Sequence, residues 1–187
     1  MSTHTCVTYA EFGRRFFECA VTEKRVAAAI AEIAGDSFEM GPISQGPGGL
    51  AKVTARVDVQ EPVVRRSLGE SITFAIRIPL VIELIVDLWL DRPRFIVDGE
   101  IALRATARAA EPLFILIDVA RPRPSDIAVH VTSKSLRAEV LRIIGGVDGE
   151  IRRFIAGYVS EAIDSPGSQR AKIIDVSAQI DSAWDAI

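Results

Sequence analysis

The chain has 187 residues, of which 49% are hydrophobic and 25% are charged, and its formal net charge is -3. This balance is typical of a globular protein, and a domain of this length buries enough surface to fold without disulfides or metals. The basic residues are scattered along the sequence, which argues against a nucleic-acid-binding face. We expect a single domain over residues 1–187.

The N-terminus and the most apolar segment bear on location. Met1–Tyr9 is polar and lacks the apolar core of a signal peptide, so we expect a cytoplasmic protein. Ile78–Leu90 contains two acidic residues and is too short to cross a bilayer as a helix, so we expect no transmembrane segment. Cys6 and Cys19 are expected to be free, partly buried thiols.

Helical spacing comes first along the chain. Thr8 and Glu11 have the spacing of a capping box, Thr22 marks a second helix start, and Gly35 is a typical helix end. The pattern predicts one bent helix or two abutting helices over Thr8–Ala34. The breaker cluster that follows, Gly41–Gly49, predicts a loop or a hairpin connection.

The apolar period then changes from 3.6 to 2. Ala51–Val59 alternates apolar and polar residues, which predicts a half-buried strand. One inward-facing row then runs over Ile72–Leu90 across Pro79, which predicts one long bent strand or two strands that meet at a corner. Because proline cannot donate to a sheet ladder, Pro79 is expected at an edge or a bend.

More strands are predicted after a turn at Arg92–Pro93. Phe95–Ala107 alternates again, and Gly99 on its apolar row is expected to mark a β-bulge. Leu113–Val119 is apolar on both faces, so it should be covered on both sides or lie at an interface. Ile127–Val131 predicts a short strand.

The helical period returns after Ser135 and continues to Ile163. The stripe residues have a spacing of three to four, and they are Leu136, Val140, Ile143, Val147, Ile151, Phe154, Tyr158 and Ala162. Glycines 145, 146 and 149 lie inside this helix, where they would allow a kink or the close approach of another backbone. Pro166–Ser168 should end the helix, and the residues after Ile174 fit either a strand or a helix.

These elements predict an α+β fold in which a long, curved, mostly antiparallel sheet wraps around a long amphipathic helix in the C-terminal half, with an N-terminal helix. The interior could be filled by side chains or could hold a cavity. The small share of aromatic residues, 6%, favours a cavity. The candidate ligand-binding residues face this interior and are Phe74, Ile76, Ile78, Leu84, Phe95, Leu103, Ile143, Ile151, Phe154 and Tyr158.

No catalytic or metal-binding constellation is visible. His130 lies on the polar face of a predicted strand and is expected at the surface. Gly41 and Gly46 have the spacing of a phosphate-binding loop, but Pro47 stands where the motif requires lysine. The acidic residues of the strands and the arginine pairs near the loops, such as 65–66, are expected to be solvated. We therefore predict no catalytic residue, no metal and no cofactor.

The order of elements carries a family resemblance. Residues 21–59, VTEKRVAAAIAEIAGDSFEMGPISQGPGGLAKVTARVDV, resemble the opening of tubular lipid-binding (TULIP-like) proteins, in which a helix precedes strands that wrap a second helix. Residues 136–163, LRAEVLRIIGGVDGEIRRFIAGYVSEAI, look like that second helix. The resemblance implies an elongated curved sheet with an apolar groove for acyl chains or similar ligands. It transfers no site residue.

Three functions are compatible with these patterns. The first is non-enzymatic binding or transport of a lipid or another hydrophobic small molecule. The second is an interaction module with a filled core, whose edge or Leu113–Val119 segment meets a partner. The third is a small cavity enzyme, such as a cyclase, for which Tyr158 is the only polar candidate. We expect no nucleic-acid partner; peripheral membrane contact and a homodimer stay open.

Overall fold

The computed structural model describes residues 5–45, 51–88, 91–130 and 138–185, with only the backbone described at residues 45 and 138–145. The helices are α1 (Tyr9–Ala20), α2 (Glu23–Ala34), α3 (Ala138–Asp164), α4 (Pro166–Ala171) and α5 (Val176–Asp185). The strands are β1 (Ser37–Gln45), β2 (Ala51–Val59), β3 (Val63–Leu68), β4 (Ile72–Leu88), β5 (Arg94–Ala110), β6 (Phe114–Val119), β7 (Ile127–His130) and β8 (Ile173–Asp175). A short 3-10 turn covers Pro124–Asp126.

The N-terminal helical region forms two abutting helices. The Thr8 hydroxyl accepts a hydrogen bond from the Glu11 amide at 3.2 Å and caps α1. The Thr22 hydroxyl accepts from the Arg25 amide at 3.3 Å and caps α2. Gly35 ends α2 with a φ of 70°, a value that favours glycine. The predicted helix starts and end are therefore confirmed.

A curled antiparallel half-barrel forms the sheet, in the order β1-β2-β4-β5-β6-β8. The two 17-residue strands, β4 and β5, pair from Ile72 with Ala107 to Ile85 with Arg94. The other edge of each long strand pairs with two shorter strands, one after the other along its length. β2 and β3 pair in succession with β4, and β6 and β7 pair in succession with β5.

Pro79 lies where β4 changes partners. β2 pairs with Leu80–Leu88, and β3 pairs with Ile72–Arg77. The Pro79 carbonyl accepts a hydrogen bond from the Gln60 amide at 2.9 Å, so the edge of Pro79 that lacks a donor faces the break between β2 and β3. The missing N–H therefore interrupts no ladder, and β4 is one continuous strand as far as Leu88, where the described part of the predicted row ends.

The breaker cluster predicted at Gly41–Gly49 starts later than expected, and the prediction of a bulge at Gly99 is wrong. Gly41 and Pro42 belong to strand β1, where the register with β2 shifts between Met40 and Ile43. Gly41 has a φ of 112°, and an added Cβ would lie 2.7 Å from the Val53 carbonyl oxygen. Residues 46–49 of the predicted breaker cluster lie outside the described part of the chain.

Gly99 makes no bulge, because the pairing of β4 with β5 runs through it without a register shift. It is instead a place of close approach. A Cβ there would lie 3.2 Å from the Ala128 carbonyl oxygen and 3.2 Å from the Ile82 Cδ1.

Helix α3 contacts β1 and β7 and thus spans the open side of the half-barrel. Five of its buried residues have a spacing of four, namely Val147, Ile151, Ile155, Val159 and Ile163, and Ala156 is buried beside them. The predicted stripe included Val147 and Ile151 and was widened by Val159 and Ile163, and these four residues are buried. It also included Phe154, which is 39% exposed, and Tyr158, which is half-buried. The helix is continuous, and a Cβ at Gly149 would meet nothing within 4 Å, so no other backbone approaches there.

The C-terminal region differs from the prediction in one respect. Pro166–Ser168 does end α3, but these residues start α4, which the Ser165 hydroxyl caps through the Ser168 amide. The following residues form both predicted elements, with β8 paired to β6 and α5 after it. Within the described residues, no helix is both long enough and apolar enough to cross a membrane.

Candidate functional site

The predicted ligand-binding residues lie mainly in the packed interior. Five are buried on β4 and β5, namely Phe74, Ile76, Ile78, Leu84 and Leu103. Ile151 faces them from α3, and Phe95 is half-buried. Phe154 and Tyr158 lie on α3 beside its buried face, and their rings contact Phe38 of β1. The side chain of Ile143 lies outside the described part of the chain.

His130 and the acidic residues of the sheet are at least partly solvated, as predicted. His130 is exposed at the end of β7. Glu83 pairs with Arg94 at 3.2 Å, and Arg77 lies 3.8 Å from Glu100. Among the described residues, no three His, Cys, Asp or Glu side chains gather in a way that could hold a metal ion.

Two predictions about polar residues are wrong. Cys6 and Cys19 are free, but both are exposed rather than partly buried; Cys6 precedes α1, and α1, which contains Cys19, has no fully buried residue. Arg66 is not a solvated loop charge. It lies on β3 and donates from Nη1 to the carbonyls of Glu18 and Val21, at 2.6 and 2.8 Å, where α1 ends.

A small apolar pocket, of about 50 Å³, lies between α2 and the layer formed by β6, α4 and β8. We call it the α2 pocket. Its apolar lining includes Val26, Ala29, Ile30, Ile33, Ile117 and Val119. Amphipathic spacing places the α2 residues on one face, and alternation places Ile117 and Val119 on the inner side of β6. None of the predicted ligand-binding residues whose side chains are described lines it.

Two wider grooves share lining residues with the α2 pocket. The Arg25 groove, about 540 Å³, shares Ala20, Arg25 and Ile174 and is also lined by Phe16 and Gln179. The Lys172 groove, about 590 Å³, shares Ile117, Val119 and Lys172 with the pocket. The pocket is therefore the narrow, apolar middle of a longer crevice.

A cation stands at each junction of the crevice. Arg25 donates from Nη1 to the carbonyl of Ala20 at 2.8 Å, and Lys172 donates from Nζ to the carbonyl of Ile163 at 2.5 Å. Both acceptors lie at helix C-termini, where the carbonyls lack partners in the helix. Within the described ranges, neither cation has a carboxylate within 4.0 Å.

Helix α1 presents an unpartnered aromatic face. Tyr9 is 93% exposed, Phe12 is 60% exposed, and Phe16 follows one turn later on the same side. The opposite face carries Glu11, which contacts both Arg14 and Arg15. The helix is thus amphipathic, with its apolar side towards solvent.

No protein family's sequence profile matches this chain. No curated protein matches its sequence either. Among solved structures, the chain is similar to the crystal structure of lipopolysaccharide binding protein, with 12% sequence identity and a TM-score of 0.44. The match covers 74% of this chain and 34% of the other, so the chain spans about a third of that protein's length.

The sequence held only partial signals for this crevice. The helical stripe of Val26, Ile30 and Ile33 and the apolar Leu113–Val119 segment were both visible, and the latter was expected to be covered or to lie at an interface. The amide of Ile117 donates to the carbonyl of Lys172 at 2.8 Å beside the β6–β8 pairing, and this places Lys172 and Ile174 in the lining opposite α2. No local pattern predicts a contact between segments so distant in sequence.

Proposed function

We propose that this protein binds a lipid or another hydrophobic small molecule, without converting it chemically, in the crevice centred on the α2 pocket. The apolar lining of the pocket and its continuation into a groove at each end support the proposal. Small-molecule sites are usually concave and mostly apolar, with a few polar groups that fix orientation. Arg25 and Lys172 supply such groups at the two junctions.

The dimensions favour a narrow ligand. The α2 pocket alone, at about 50 Å³, is much smaller than a typical ligand site of roughly 300–1,000 Å³. A bulky ring system would have to displace α2 from β6. A flexible chain could pass through the narrow middle and continue into a groove, so we expect acyl-chain ligands.

The tubular lipid-binding architecture is part of this proposal. The order of a helix, a long-stranded antiparallel half-barrel and a second long helix supports it. The set predicted from the sequence on β4, β5 and α3 stays a prediction. A ligand at that place would have to displace side chains that are already buried, such as Phe74 and Ile151.

A matched pair of variants on α2 tests the pocket. Ala29 lines the pocket, whereas its neighbour Ala28 is exposed and does not. Ala29→Phe should fill the narrow middle and abolish the binding of oleyl alcohol, detected by native mass spectrometry. Ala28→Phe should bind as the unchanged protein does. Circular dichroism would establish that both variants are folded, and equal binding by both would refute the pocket.

A second candidate function, contact with a membrane surface, is favoured by the aromatic face of α1. Aromatic residues on one side of an amphipathic helix insert at the boundary between headgroups and acyl chains. Trp184 of α5, which is 71% exposed, adds to the apolar surface of the molecule. On the polar face of α1, Glu11 and Glu18 pair with Arg14 and Arg15, so this face carries no net charge.

Cosedimentation with vesicles tests this contact. Because the charges on the polar face of α1 cancel, binding to neutral phosphatidylcholine vesicles should persist at high salt. Phe12→Ser should reduce it strongly, and Ala10→Ser, at an exposed site on the same helix, should not. Loss of a dimer in Phe12→Ser, with no vesicle binding by the unchanged protein, would instead assign this face to self-association.

A further inference from the structure

We propose that the ligand is a single-chain amphiphile with an anionic head, and that Arg25 binds that head while the chain occupies the α2 pocket. This inference rests on the proposed function of the same crevice. It adds to that function the charge of the ligand and the end of the crevice at which its head group lies. The ligands that fit this description share an acyl chain with a carboxylate or a phosphate at one end.

Arg25 is set apart by what surrounds it. Several arginines of the sheet have acidic neighbours, as when Arg94 contacts Glu83 at 3.2 Å. Among the described residues, Arg65 and Arg104 also lack such a neighbour, but neither of them lines the α2 pocket. In the described part of the chain, the guanidinium of Arg25 hydrogen-bonds only to the Ala20 carbonyl. A guanidinium has five N–H donors, so most of its hydrogen-bonding capacity is free for a ligand. Arg25 is exposed and lines both the α2 pocket and the Arg25 groove, so the head of a ligand whose chain lies in the pocket can reach it.

The direction of the ligand follows from the two grooves. Among the described residues, no carboxylate lines the Arg25 groove, whereas Asp118 and Asp164 line the Lys172 groove. Arg108 and Arg121 also line the Lys172 groove and pair with these two acids, so the direction rests on the geometry of the cation and not on net charge. The planar guanidinium also matches a carboxylate or phosphate through two parallel hydrogen bonds, which an ammonium cannot do. The head is therefore placed at Arg25.

A purely structural role for Arg25 makes a different prediction. Its contact with Ala20 closes the C-terminus of α1, where a cation stabilises free carbonyls. If that were its whole role, replacing Arg25 would lower thermal stability and leave ligand preference unchanged. The binding role predicts a change in preference between charged and neutral ligands with the same chain.

Calorimetric titration with oleate, oleoyl lysophosphatidate and oleyl alcohol separates these roles. The unchanged protein should prefer the anions over the alcohol, and the preference should shrink as salt rises. Arg25→Met should weaken the binding of the anions about tenfold, the loss expected for one charge-assisted hydrogen bond, and should not affect oleyl alcohol. Arg25→Lys should recover part of the loss. The anion that binds more tightly identifies the head group.

Lys24→Met is the matched control, because it removes the same charge from the neighbouring α2 residue, which does not line the pocket. Equal binding of oleate and oleyl alcohol at low salt would overturn this inference and leave the proposed function standing. Loss of preference in Lys172→Met but not in Arg25→Met would overturn the direction. Failure of all three ligands to bind would refute the proposed function itself. If Arg25→Met does not fold, the effect of salt on the preference of the unchanged protein for anions over oleyl alcohol decides whether a charge binds the head.

Discussion

The rings of Phe38 and Tyr158 stack with their centroids 4.0 Å apart and their planes at 23°, which ties edge strand β1 to helix α3. Stacked aromatic pairs contribute about 0.5–1.5 kcal/mol beyond the area that they bury. A double-mutant cycle with Phe38→Leu and Tyr158→Leu, measured by urea unfolding, should give a coupling in this range. The Phe38–Phe154 pair, with centroids 6.3 Å apart, should give less.

Substitutions on adjacent residues of α3 should identify its buried face. Ile155 is fully buried, so Ile155→Ala should lower the free energy of unfolding by about 2–5 kcal/mol through lost burial and a cavity. Phe154→Ala removes more atoms but should lower the free energy of unfolding by less, because the Phe154 side chain is 39% exposed. Chemical denaturation measures both. A larger loss for Phe154→Ala would mean that the helix is rotated.

Arg66 should hold the α1–α2 junction together. Its Nη1 donates to two carbonyls at the end of α1, and its amide donates to the Glu23 carboxylate at 2.7 Å. Arg66→Met should lower stability by about 1.5–3 kcal/mol, the usual range for a hydrogen bond to a charged group. Amide hydrogen exchange in α1 should also rise. Arg65→Met, at an exposed position on the same strand, should change neither quantity.

The stability of the first turn of α1 should depend on pH. Hydrogen bonds from Arg14 and then Arg15 lower the pKa of Glu11 from 4.5 to about 2. Because this pKa is lowered in the folded state, the stabilisation is complete above pH 4.5 and is lost as the pH falls towards 2. NMR chemical shifts of α1 should report loosening in that window. Glu11→Gln should remove the pH dependence, and high salt should weaken it.

A pair of glycine substitutions should have opposite effects. Gly99→Ala should destabilise the protein by about 1–3 kcal/mol, because its Cβ would crowd the Ala128 carbonyl and the Ile82 side chain. Gly149→Ala should stabilise α3 by about 0.4–1 kcal/mol, because its Cβ would meet nothing within 4 Å. Thermal unfolding measures both. A stabilising Gly99→Ala would show that β7 can move away from β5.

Sequence patterns predicted the elements well where the physical cause is local. The side chains of Thr8 and Thr22 cap the helices that follow them, and the alternation in Ala51–Val59 gives the bounds of β2 without error. The continuous β4 was one of two alternatives at Pro79. It needed the break between β2 and β3, which lies on a different part of the chain.

The crevice could not be predicted in this way. The sequence by itself determined which faces are apolar, since side-chain period and hydrophobicity are local properties. Only the tertiary structure decided which apolar faces meet. The inward-facing residues of β4 and β5 are buried in the core together with Ile151 and Ile155 of α3. The α2 pocket, by contrast, remains open between α2 and Ile117 of β6. The same kinds of residue fill a core or line a pocket, and the distance between their backbones decides which.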